Sequence, residues 1–130
     1  MALTVELSDH FKVLFAGFPK PDKLAIAGFI GHCQAYGLVN LRGKLAPTTN
    51  VPGTDPEYYE KVAFAREHYL WHYHIGIPRY EPSRNQLRSY DTSDWVVHFQ
   101  RFPKNTVIRL VDYGFHNPMH MPKAEFMIKS

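Results

Sequence analysis

The chain has 130 residues, 45% hydrophobic and 21% charged, a balance that implies one folded domain over residues 1–130 rather than a disordered chain. Its formal charge of +3 is a mild bias towards polyanions, and a single cysteine, Cys33, excludes an intrachain disulfide and fits a reducing compartment. No apolar run is long enough to span a bilayer, and the N-terminal residues lack the pattern of a secretory signal, so a cytoplasmic protein without membrane contact is expected.

Leu3 to Leu7 alternates apolar and polar residues and predicts a short strand. Pro19 and Pro21 then break the chain, and Asp22 stands where a helix N-cap belongs. Leu24, Ile26, Ala27, Phe29, Ile30, Cys33 and Tyr36 follow at roughly helical spacing, with Gly37 as the stop, so a helix is predicted over 22–36. Residues 41–56 have loop chemistry, rich in Pro, Gly, Thr and Asp. Asp55-Pro56-Glu57 resembles a cap, a first-turn proline and an acidic first turn, which predicts a second helix over about 56–67.

From Tyr69 the period changes to two. Trp71, Tyr73 and Ile75 point one way along a strand, and His72 and His74 point the other. Residues 76–94 form a polar connection. Trp95, Val97 and Phe99 then alternate with Val96, His98 and Gln100. Pro103-Lys104-Asn105 makes a tight turn into 106–113, so these two strands are expected to form a hairpin. The layout is α+β: helices, then an antiparallel sheet.

The eight histidines carry most of the chemical information. His72 and His74 lie on one strand face, close enough to share a ligand. A metal would need a third donor, from Glu81, His98 or His116. The same pair also suits RNA contact or acid–base work, and equally suits half-buried strand histidines bonded to their neighbours. Arg79, Arg84, Arg88 and Arg101 interleave with Tyr80 and Tyr90; guanidinium groups pair with phosphates and rings stack on unpaired bases. Arg42 and Lys44 extend that stretch. Arg109, between Ile108 and Leu110, either pairs with a carboxylate such as Asp94 or Asp112 or faces a functional groove. His116, His120 and Lys123 follow the last strand, where a histidine can act as acid or base and a cation can stabilise a charged phosphorane. Cys33 sits in a helical pattern and is expected to pack. The chain has no HExxH, GxSxG or phosphate-cradling glycine loop.

The second half of the chain resembles the YafO-type toxins of bacterial toxin–antitoxin systems, within the RelE/ParE-like superfamily. The pieces are His72-Tyr73-His74-Ile75, Asn85-Gln86-Leu87-Arg88, Thr92-Ser93-Asp94 before Trp95–Phe99, then Val107–Val111 followed by His116 and Met119-His120. They cover about residues 60–127. The resemblance implies a small RelE-like fold, with one or two helices on a curved antiparallel sheet. It implies an mRNA endoribonuclease that works with the ribosome, uses no metal or other cofactor, and is held by a cognate antitoxin protein. On that reading His116 is the acid or base, Arg88 and Arg109 clamp phosphate, and His72 and His74 complete the site. Arg79, Arg84, Tyr90, Arg101, His120 and Lys123 would hold the RNA. A ribosome blocker without catalysis, a gyrase poison of the same fold and a small metal-binding protein built on His72 and His74 stand as alternatives.

Overall fold

A strand, two helices, a third helix and then the bulk of a sheet follow one another in the computed structural model, which describes residues 2–82, 90–116 and 119–130. Strand β1 (Thr4–Leu7) leads into α1 (Asp9–Gly17) and α2 (Lys20–Tyr36). A short strand β2 (Leu45–Pro47) and helix α3 (Tyr58–Glu67) precede β3 (Leu70–His74). A two-residue ribbon, β4 (Glu81–Pro82) with β5 (Asp91–Thr92), then comes before β6 (Trp95–Arg101) and β7 (Val107–Phe115). A 3-10 turn at Ala124–Met127 follows the sheet.

The α+β class and the β6–β7 hairpin are as expected; the wholly antiparallel sheet is not. The five strands run β1-β7-β6-β3-β2, and β1 lies parallel to β7, from Thr4 opposite Val107 to Leu7 opposite Leu110. A parallel pair needs a long crossover, and nearly the whole chain separates these two strands. Alternation predicts that a segment is a strand but carries no record of its partner. A bulge on β7 sets His98 opposite Asp112 but Phe99 opposite Leu110, with Val111 as the extra residue.

Four local expectations need correction. Helix α1 was not expected, although Ser8 caps it, its hydroxyl accepting from the Phe11 N–H at 3.1 Å, and Phe11 is fully buried. Asp22 is not a cap: α2 begins two residues earlier, after Pro19, and Asp22 accepts a hydrogen bond from the Tyr113 hydroxyl at 2.8 Å. The supposed loop at 41–56 contains β2, an edge strand whose Pro47 sits where a missing N–H is tolerated. Gly37 ends α2 as expected, at φ 79°, its N–H donating to the Cys33 carbonyl at 2.9 Å. Asp55 lies just ahead of α3 rather than at its cap, accepting from the Glu57 N–H at 2.8 Å and from Lys61 Nζ at 2.7 Å.

The sheet has two unlike faces. One carries Tyr73, Val97, Phe99, Ile108 and Leu110 and packs on Phe11 of α1 and on Ile26, Phe29 and Cys33 of α2. Phe29 stacks on Tyr73 at 4.6 Å. Each such side chain taken fully from water contributes about 1.5–3 kcal/mol, so this face dominates stability. Cys33 belongs to it, and burial pushes its thiol up to about 12, so it packs rather than reacts. The other face has a smaller apolar cluster, in which Leu70 and Val111 meet Ala65 and Phe64 of α3 together with Met121 and Met127. Beyond that cluster, α3 leaves the histidines of β3 beside an open cavity.

Candidate active site: a cavity walled by histidines

Because β3 alternates, Leu70, His72 and His74 share the face turned away from α2. His98 lies directly across from His72 on β6. His116 follows the last residue of β7, and its N–H donates to the Asp94 carbonyl at 2.7 Å, which turns the chain back over β3. The rings of His74 and His116 are 4.6 Å apart, and those of His72 and His116 5.5 Å. One nitrogen from each of His72, His74 and His116 lies within 4.8 Å of the other two. The cavity in front of them has a volume of about 1020 Å³. Lys44, Thr48 and Ser93 line it near the histidines, and Asp55, Lys61 and Glu81 are also part of its wall.

The inner rings are held from behind. Thr48 Oγ1 meets His72 Nδ1 at 3.0 Å. His74 Nδ1 lies 2.8 Å from the Ser93 carbonyl and 3.1 Å from the Ser93 N–H, contacts that ask for opposite tautomers. The shorter one decides, because a ring lone pair aimed at a carbonyl oxygen would repel it. Nδ1–H therefore donates to Ser93, and Nε2 keeps its lone pair. Ser93 is itself fixed, its hydroxyl accepting from Gly76 N–H at 2.9 Å and donating to the Trp95 carbonyl at 3.0 Å. The Tyr80 hydroxyl donates to the His74 carbonyl at 2.9 Å. Gly43 is required there, since a Cβ would collide with the His74 carbonyl oxygen.

His74 Nε2 is buried and has no hydrogen-bond partner among the described residues. A buried polar atom without a partner costs about 1–3 kcal/mol, so one on a residue that lines a cavity is a candidate for ligand contact. Burial, reinforced by neighbouring positive charge, holds His72 down at about 3. Burial brings His74 and His98 to about 4, and His116, half-buried, is lowered for the same reason and by Lys44. All four rings are therefore neutral at pH 7, with lone pairs available for bases or ligands.

The structure sorts the residues singled out in the sequence. It unites His72, His74 and His116, and of the three candidate third donors it selects His116. His98 is buried beside His72 on the neighbouring strand, their rings 6.2 Å apart, and is not in the donor group; Glu81 stays on the cavity wall outside it. Arg109 is not at the cavity. Its guanidinium pairs with Glu6, at 3.0 Å from both Nε and Nη2, and donates to the Met127 carbonyl at 3.1 Å. Its partner is thus neither Asp94 nor Asp112, because parallel pairing of β1 puts Glu6 beside it. Arg101 stacks on Trp71 at 4.6 Å and binds Asn105 at the hairpin end. Arg79 is exposed and paired with Glu81 at 3.3 Å. Tyr90 lies under the Lys44 ammonium at 5.7 Å, while exposed His120 and Lys123, which sits over Phe126, are outside the cavity lining. Arg84 and Arg88 lie outside the described residues. The sequence presents Lys44 only as an addition to a basic stretch and Ser93 only as part of the resemblance, and it gives no sign of Thr48. Their signal is positional: they flank β2 and precede β6, which becomes visible only once those strands pair.

Comparison with protein-family models, with curated proteins and with solved structures finds no match.

Proposed function

We propose that this chain is an endoribonuclease toxin of a type II toxin–antitoxin system, cleaving mRNA in the histidine cavity and thereby stopping translation. One observation carries the reading: three imidazoles and a lysine converge on one open cavity, on the sheet face that α1 and α2 leave free. The resemblance over residues 60–127 supplies the substrate class, and the layout of helices on a small sheet is compatible with the RelE-like fold it implies.

RNA carries its own nucleophile, the 2′-hydroxyl, so the protein has to move two protons and stabilise one charged intermediate. His74 Nε2, neutral and without a hydrogen-bond partner among the described residues, takes the 2′-hydroxyl proton. The 2′-oxygen bonds to phosphorus and the bond to the 5′-oxygen breaks, leaving a 2′,3′-cyclic phosphate and a 5′-hydroxyl end. His116 is the least buried of the three rings, and the negative phosphate raises its proton affinity, so it protonates the departing oxygen. Lys44 sits beside both and neutralises the phosphorane. A cognate antitoxin would silence the protein by covering the cavity mouth. Ribosomal assistance belongs to the same proposal.

The test is induction of the protein in a bacterial host, with total RNA mapped for new 5′ ends in translated messages. New ends that disappear in His116→Ala support the reading. Growth arrest without new ends overturns cleavage in favour of a passive ribosome blocker or a gyrase poison, and absence of arrest overturns the toxin reading altogether.

A further inference from the structure

We infer that His72, His74 and His116 also form a binding site for one divalent transition-metal ion of the zinc class, and that the bound ion switches off cleavage in the same cavity. The metal site stands on geometry alone; the switch rests on the function proposed above.

Three ring nitrogens lie within 4.8 Å of one another. Tetrahedral zinc, with Zn–N bonds of about 2.0–2.1 Å, needs its ligands about 3.4 Å apart. Closing the difference requires a small ring movement, and His116, on the turn after β7, is the ring placed to make it. The other two are already oriented. Thr48 occupies Nδ1 of His72 and the Ser93 carbonyl occupies Nδ1 of His74, so each presents Nε2. Hydrogen bonding at the far nitrogen is the usual way a protein fixes a metal-binding imidazole. His74, only 2% exposed, has no partner for Nε2 among the described residues, which a coordinated ion would supply.

The donor set also selects the ion. Three imidazoles without a carboxylate or thiolate suit zinc, nickel, cobalt or copper(II) rather than magnesium or calcium. The cavity leaves the fourth position open to solvent, and Asp94 stands on its wall, while Asp55 and Glu81 are already paired with Lys61 and Arg79. An ion there takes the lone pair that His74 needs as a base and immobilises His116, so the metal and the cleavage step exclude each other.

Untagged, chelator-stripped protein should be titrated with zinc chloride by calorimetry and with cobalt(II) by visible absorption. One ion per chain is expected. Affinity should fall at least about tenfold in each of His72→Gln, His74→Gln and His116→Gln, and by a comparable factor in Thr48→Val. His120→Gln, exposed and outside the cavity, should bind as the parent does. Circular dichroism establishes which variants fold; His116→Gln, on a turn, remains informative if a strand variant does not. No binding, or binding equally strong in His116→Gln, overturns the site. Cleavage of messages by purified protein added to translating ribosomes is then compared with zinc and with chelator. Suppression by zinc and recovery with chelator support the switch, and cleavage untouched by saturating zinc overturns it. Zinc binding with no cleavage in either state keeps the metal site and sinks the ribonuclease reading; cleavage without zinc binding does the reverse.

Discussion

The two faces of the central sheet come from the same strands and alternate residue by residue, yet they do opposite work. Tyr73, Val97 and Phe99 face two helices and are buried among apolar atoms. Their neighbours His72, His74 and His98 are equally buried, but three polar atoms on that face, His74 Nε2, His98 Nδ1 and Gln100 Oε1, lack partners among the described residues. One face holds the fold together; the other spends part of that stability on a preformed set of lone pairs. Buried unpaired polar atoms raise the energy of the folded state, and they persist when something outside the fold makes use of them.

The largest effect should come from breaking the apolar face. Phe99→Ala removes a fully buried aromatic, and denaturant unfolding should show a loss of about 3–5 kcal/mol. On the histidine face the loss should be of activity: His116→Ala should lower cleavage by at least about a hundredfold while leaving the unfolding midpoint in place. A parallel fall in stability would make His116 a structural residue and dissolve the contrast.

Acid should separate the faces without any mutation. His72, His74 and His98 take up protons only near 3 to 4 when folded, against 6.5 when unfolded. Between those values the unfolded chain binds more protons, so stability is present above pH 6.5 and is lost as pH falls towards 4. Melting of chelator-treated protein across that window measures the slope, and a flat profile would mean that the rings titrate freely.

Arg109→Ala sharpens the assignment further. It breaks a partly exposed pair with Glu6 and a bond to the Met127 carbonyl, so about 1–2 kcal/mol of stability should go while cleavage persists. Loss of cleavage in a folded Arg109→Ala protein would return that arginine to the site. The smallest effect is expected for His98→Leu, which exchanges a buried ring whose Nδ1 has no partner among the described residues for an apolar side chain. Stability should stay within about 1 kcal/mol of the parent or rise, with a shallower acid slope. A loss of several kcal/mol would reveal a partner for His98 and weaken the claim that this face costs stability.

What the sequence determined by itself is what local repetition encodes. Period two at Trp71–Ile75 and Trp95–Gln100 assigned two strands and divided aromatic from histidine residues, because successive side chains on a strand must point to opposite faces. Helical spacing from Leu24 to Tyr36 and the stop at Gly37 set most of α2. Ser8 and Asp9, a cap and an acidic first turn, held a legible start for α1. Pairing was decided only in three dimensions. Glu6 and Arg109, 103 positions apart, meet because β1 lies parallel to β7. His116 joins His72 and His74, and Lys44 and Thr48 reach the same cavity, because β2 pairs at one edge of β3 while the turn after β7 folds back over it. Neither arrangement leaves a trace in local spacing, since strand pairing is settled by the burial and hydrogen bonding of segments far apart in the chain.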